Sequence, residues 1–106
     1  MSPITAQMLL LKCRGDEIWT IDDCREEGIP EDWIEQLKDC FESGFDTQAN
    51  TIFHGGKAVN QYFGITDLQL ACKLAEYIGI DVQYTIAGIT SRTLQVRALK
   101  EALDEI

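Results

Sequence analysis

Short apolar runs separated by turn residues dominate the first part of the chain. Residues 8–13 and 18–21 are hydrophobic, and the four residues between them read Arg-Gly-Asp-Glu. Two such runs joined by a short segment that contains glycine are typical of a β-hairpin. We therefore predict a first hairpin over residues 8–21, in which the Arg-Gly-Asp tripeptide forms the turn.

The pattern changes to a helical period after a break at residues 28–30. Pro30 followed by Glu31 and Asp32 places proline and two carboxylates at the positive end of a helix dipole. The apolar residues that follow recur at the spacing of one helix face, with acids on the other side: Trp33, Ile34, Leu37, Cys40 and Phe41. This pattern predicts a helix that ends at Gly44.

The second half of the chain predicts another hairpin, a helix, a strand and a last helix. Gly55-Gly56 suits the tight turn of a hairpin between residues 51–54 and 57–63. Thr66 to Gln69 has the pattern of a capping box, which predicts a helix closed by Gly79. Residues 80–89 alternate in the manner of a strand, and residues 90–91 precede a final helical period.

These elements predict an α+β fold in the order ββ-α-ββ-α-β-α, with helices packed on a mostly antiparallel or mixed sheet. The length of 106 residues predicts a single compact domain over 1–106. No apolar run approaches the roughly 20 residues that cross a bilayer, and no secretory leader is recognisable, so we expect a cytoplasmic protein.

Nearly all the net charge of −9 is concentrated in one segment. Residues 16–46 hold twelve acidic residues against two basic ones, and the rest of the chain holds six acidic and seven basic residues. Such a field repels phosphate backbones and attracts basic surfaces, so direct nucleic-acid binding is not expected. An acidic face that only keeps the protein soluble is the simpler interpretation of the same pattern.

Candidate chemistry is sparse. Cys13, Cys24, Cys40 and Cys72 form no Cys-x-x-Cys pair, so neither a zinc site nor a redox motif is expected, and free thiols are predicted. The acidic segment lacks the spacing of a calcium-binding loop. Gly-Gly-Lys at 55–57 lacks the rest of a phosphate-binding loop. We expect no cofactor and no metal, and His54 lacks an evident catalytic partner.

The best-supported hypothesis is a small regulatory or adaptor module that binds a basic surface of a partner protein, and an enzyme is less favoured. One alternative is an inhibitor that mimics nucleic acid; another is a small-molecule-binding or catalytic domain with a pocket near residues 54–65. A homodimer through exposed strand edges fits each of these. The predicted partner-binding residues are Asp22, Asp23, Glu26, Glu27, Glu31, Asp32, Trp33, Glu35, Asp39 and Glu42, although core packing is the more favoured role of Trp33. The candidate pocket residues are His54, Lys57, Asn60 and Tyr62.

Overall fold

Helices dominate the fold. A computed structural model describes residues 1–37, 53–54, 57–58 and 64–106. Within these ranges the elements are α1 (Pro3–Lys12), β1 (Ile18–Thr20), α2 (Ile21–Glu26), α3 (Glu31–Gln36), β2 (Phe53–His54), β3 (Lys57–Ala58), β4 (Gly64–Thr66), α4 (Asp67–Ile78), α5 (Val82–Thr85) and α6 (Arg92–Asp104). The predicted α+β fold, in which helices pack on a sheet of five strands, is therefore wrong.

The predicted first hairpin is replaced by helix α1. Ser2 caps this helix by accepting a hydrogen bond from the Thr5 N–H at 3.2 Å, and Pro3 takes the first helical position, where proline is favoured. Only the second arm of the predicted hairpin is extended. It forms β1, which pairs with β4 rather than with the residues of α1.

The strand predicted over residues 80–89 is also absent. Asp81 accepts a hydrogen bond from the Tyr84 N–H at 3.1 Å and starts the single-turn helix α5. An aspartate cap satisfies a free backbone donor at this point, and this local interaction outweighs the strand preference of the β-branched and aromatic residues that follow.

Other predicted elements are confirmed where the structure describes them. Helix α3 begins at Glu31, α4 ends before Gly79, and α6 follows a Ser91 cap. β2 and β3 pair antiparallel across two residues, as the Gly-Gly turn predicts. The predicted helix end at Gly44 lies outside the described residues.

Two short antiparallel pairs make up the strand content of the described residues. β1 aligns with β4 so that Trp19 lies opposite Ile65, and β2 aligns with β3 so that His54 lies opposite Lys57. Among the described residues, none of the helices is long and apolar enough to cross a membrane.

The chain divides into two compact units, of which the first comprises residues 1–17 and 67–106. In this unit α1 packs on α4, α4 packs on α6, and α5 packs against α6. The buried side chains that line these helix contacts are Ala6, Leu9, Leu10, Leu70, Ala71, Leu74, Ala75, Val96 and Leu99. The second unit, residues 18–66, contains α2, α3 and the strands. The prediction of a single domain stays a prediction.

A buried carboxylate joins the loop after α1 to the start of α4. Asp67 is fully buried, and its Oδ2 accepts hydrogen bonds from the backbone N–H groups of Arg14 and Gly15, the latter at 2.7 Å. The Asp67 N–H donates to the Glu17 carbonyl at 2.8 Å. A buried ionised group is tolerated only when hydrogen bonds replace its lost hydration, and here backbone donors supply them.

Gly15 lies in the same loop and has no room for a side chain. Its φ is +99°, and a Cβ atom there would lie 2.8 Å from backbone atoms of Arg92 and Thr93 at the start of α6. Gly79, which ends α4, has a similar φ of +105°, but a Cβ atom there would meet nothing within 4 Å. Substitutions at the two glycines therefore distinguish the effect of backbone strain, which both share, from that of steric contact, which occurs only at Gly15.

We expect Gly15→Ala to destabilise the protein by more than Gly79→Ala does. Both substitutions force a left-handed conformation on alanine, which costs about 1 kcal/mol, but only Gly15→Ala also pushes the loop away from α6, for a total of at least about 2–3 kcal/mol. Urea denaturation of both variants measures the difference. Equal free energies of unfolding would contradict the close approach of this loop to α6.

We expect Asp67→Ala to lower the free energy of unfolding by about 2–4 kcal/mol, because the N–H groups of Arg14 and Gly15 lose their acceptor. Thermal and urea denaturation measure the loss. Asp16→Asn is the matched control, since Asp16 lies in the same loop but is exposed, and it should change stability by less than about 0.5 kcal/mol. A similar effect of the two substitutions would count against the structural role of Asp67.

Candidate functional site

The candidate site is an acidic surface on α2 and α3 in the second unit. Between residues 18 and 37 the chain has seven acidic residues and one basic residue, Arg25. Six of the acids are exposed, and Asp23 is half-buried. The exposed ones are Asp22, Glu26, Glu27, Glu31, Asp32 and Glu35. Asp39 and Glu42, which the sequence also assigns to partner binding, lie outside the described residues.

The start of α2 is fixed by a reciprocal capping box. The Thr20 hydroxyl accepts a hydrogen bond from the Asp23 N–H at 3.1 Å, and the Asp23 carboxylate accepts one from the Thr20 N–H at 2.9 Å. The Asp23 carboxylate therefore satisfies backbone donors at the helix start. Its role in the structure is local stabilisation, although the sequence assigns it to partner binding.

Arg25 joins the two helices of the acidic surface. Its Nε donates to Glu31 Oε1 at 2.5 Å and its Nη2 donates to Glu31 Oε2 at 3.3 Å, so the guanidinium bridges from α2 to the first residue of α3. Arg25 Nη1 also lies 3.5 Å from Asp22 Oδ1. Two of the exposed carboxylates thus already share a cation.

The turn between α2 and α3 is closed by its own backbone. Gly28 adopts a φ of +83°, and its N–H donates to the Arg25 carbonyl at 3.0 Å. The Ile29 N–H donates to the Cys24 carbonyl at 3.0 Å. These bonds cap the last turn of α2 with glycine in the conformation it favours. The turn sets the direction in which α3 leaves α2.

Apolar side chains hold the acidic helices in place from their inner side. Trp33 is only 6% exposed, and Cys24, Ile29, Ile34 and Leu37 are buried. Trp33 therefore occupies the core position that the sequence favoured, and its indole is not displayed as a surface anchor. Acidic residues on the outside and apolar residues on the inside define an amphipathic pair of helices.

The cysteines of the described residues are free thiols with suppressed acidity. Burial raises the pKa of the Cys24 thiol to about 12, with the adjacent Asp23 carboxylate contributing. Burial also raises the pKa of Cys13, followed by the charge of Asp67, and burial raises the pKa of Cys72. A nucleophilic cysteine needs a lowered pKa, so these three thiols do not suit nucleophilic catalysis. Cys40 lies outside the described residues.

The candidate ligand pocket near residues 54–65 is only partly described. His54 and Lys57 are backbone register partners of β2 and β3. Asn60 and Tyr62 lie outside the described residues. No group of three or more metal-binding side chains occurs in the described part of the chain.

The structure also exposes an aromatic residue of the segment that the sequence predicts as a strand. Tyr84 on α5 is 84% exposed. The local signal that predicts a helix start here is Asp81, whose side chain caps α5. Because the segment is helical, its residues do not alternate between two faces as they would in a strand.

Comparison with known proteins identifies no relative, because no family model, curated protein or solved structure matches this chain. The functional argument therefore rests on the geometry and charge of the described residues.

We expect the pKa of Glu31 to rise in Arg25→Gln. Hydrogen bonding to Arg25 holds the pKa of the Glu31 carboxyl below its ordinary value. Because the pKa of Glu31 is lower in the folded than in the unfolded protein, its ionised carboxylate stabilises the fold at pH values above the unfolded pKa. This stabilisation is lost as the pH falls through the folded pKa, and in Arg25→Gln it should be absent at every pH. NMR titration of the Glu31 carboxyl carbon measures the change.

The control for this titration is Lys73→Gln, which removes one positive charge from α4 in the first unit. The pKa of Glu31 should stay at its wild-type value in this variant. An unchanged pKa of Glu31 in Arg25→Gln would mean that the bridge between α2 and α3 does not form in solution.

Proposed function

We propose that this protein is a small regulatory or adaptor module that binds a basic surface of a partner protein through residues 22–42. The observation that carries the proposal is the charge of residues 18–37, which include α2, α3 and the turn between them. Six of the seven acidic side chains in this range are exposed, and Arg25 is its one basic residue. A basic partner is the macromolecular ligand whose charge complements this surface.

The surface would act mainly on the rate of association. Exposed charges of one sign steer an oppositely charged partner during diffusion, and this effect weakens as salt screens them beyond a Debye length of about 8 Å at physiological ionic strength. Affinity that depends on exposed carboxylates should therefore fall steeply with salt. This behaviour distinguishes the proposed surface from an apolar interface, in which burial of nonpolar area drives binding.

The individual carboxylates are not equivalent in this proposal. Glu26 and Asp32 are exposed and belong to neither the capping box nor the Arg25 bridge. A basic partner that contacts Asp22 or Glu31 would have to compete with Arg25 for the carboxylate. The Asp23 carboxylate is already used to cap the start of α2. Glu26 and Asp32 are thus the contacts that cost the fold least, and they are the residues to test.

The test is affinity capture with the full chain from the native lysate, with retained proteins identified by mass spectrometry after washes at low and high salt. We expect a basic partner that is held at low salt and released at high salt. The double variant Glu26→Lys/Asp32→Lys should lower its retention at low salt by at least about tenfold, because two attractive charges become repulsive.

The control carries the same change of net charge elsewhere. Glu76→Lys/Asp104→Lys alters exposed acids of α4 and α6 in the first unit, and it should retain the partner within about twofold of the wild type if binding depends on local charge. Equal loss in both double variants would point to net charge alone. Either that result or the absence of any salt-sensitive partner would overturn the proposal.

A further inference from the structure

A groove of about 500 Å³ lies between α5 and α6 in the first unit. It is lined by Tyr84, Thr85, Ala98, Glu101, Ala102 and Glu105. The groove is largely open to solvent, and its lining is polar and apolar in nearly equal parts. It brings together one aromatic ring, the methyl groups of two alanines and two carboxylates.

The groove exists because α6 presents small side chains to it. Ala98 and Ala102 are one helical turn apart and are half-buried. Leu94, one turn before Ala98, is 51% exposed, so an apolar stripe continues along the helix. Leu94 lies beyond the residues that line the groove. With Leu94 included, the helix face up to Glu105 measures about 17 Å at the rise of an α-helix, which is the length of a peptide segment of about three helical turns.

The charges of the lining favour a basic occupant. Glu101 lies 3.7 Å from Arg97 on the same helix, and both side chains are highly exposed. The Glu105 side chain has no cationic partner in the described part of the chain. Among the described residues that line the groove, none is basic. The lining thus combines apolar methyl groups with a carboxylate, Glu105, that no cation of the described residues neutralises.

Tyr84 is suited to hold such an occupant. Its ring contributes little to the core of the first unit, because 84% of the residue is exposed. Tyrosine is enriched among the residues that dominate binding energy, and its ring face attracts the cation of lysine or arginine. A lysine or arginine that lies across the groove would pack its aliphatic stem on the alanines and bring its cation to Tyr84 and Glu105.

We propose that the α5–α6 groove binds an amphipathic basic peptide segment of a partner protein, with a lysine or arginine side chain of the peptide held between Tyr84 and Glu105. The residues of this site belong to the first unit, and none of them is shared with the acidic surface on α2 and α3. Its existence does not depend on the function proposed for that surface.

The test is titration of the isotope-labelled full chain with a synthetic peptide of about 14 residues, in which leucines at helical spacing alternate with lysine and arginine. We expect amide shifts to cluster at Tyr84, Thr85, Ala98 and Ala102. Fluorescence anisotropy with the same peptide, labelled, should show that Tyr84→Ala weakens binding by about 5- to 30-fold. A peptide with glutamate in place of lysine and arginine should not bind.

Two further variants make the result specific to the groove. Glu105→Gln should weaken binding by about two- to fivefold, whereas Asp104→Asn removes the same charge from the neighbouring residue outside the groove and should change binding by less than about twofold. The groove shifts should persist in Glu26→Lys/Asp32→Lys. Wild-type affinity of Tyr84→Ala, or shifts confined to α2 and α3, would overturn the proposal.

Discussion

The first unit depends on the hydrogen bonds that the buried carboxylate of Asp67 accepts. Asp67 is the one buried polar or charged side chain in the described residues, and it receives the N–H groups of Arg14 and Gly15 at the start of α4. Removing a carboxylate from water costs several kcal/mol, so the loop must keep its donors in place. The same loop brings Gly15 against the start of α6. This loop follows α1, is hydrogen-bonded to α4 and lies against α6. The buried carboxylate therefore fixes the position of a segment that meets three helices.

The fold was predictable where a local signal decides an element. The starts of α3 and α6 and the antiparallel pairing of β2 with β3 are predicted by a proline, a serine cap and two glycines, respectively. Helix α1 was missed although Ser2 and Pro3 mark its start, because its apolar residues surround the whole helix: Leu9 and Leu10 are buried, and Met8 and Leu11 are exposed. A short run without period does not distinguish a helix from a strand. The pairing of β1 with β4 was not predictable, because strands of three residues far apart in the chain carry no local signal.

The candidate site was predictable in its total charge but not in its organisation. Charge is additive along the chain, so the excess of acidic residues is visible without coordinates. The role of each carboxylate depends on its neighbours in space. The bridge from Arg25 to Glu31 spans two helices, and the sequence gives no register for it. The exposure of Tyr84 follows from the replacement of a predicted strand by one turn of helix. The wrong prediction of local structure therefore hid the aromatic residue that is most exposed in the described part of the chain.

This organisation limits how the acidic surface can bind. A partner that recruits Asp22 or Glu31 competes with Arg25, and one that recruits Asp23 weakens the cap of α2. Each such contact subtracts the cost of the interaction it replaces. Glu26 and Asp32 belong to neither interaction, so in the proposed interface their contacts would replace no interaction of the fold. The effective charge of the surface is consequently smaller than the sum of its carboxylates, and the specificity of the proposed interaction would depend on the positions of the carboxylates that stabilise no other part of the fold.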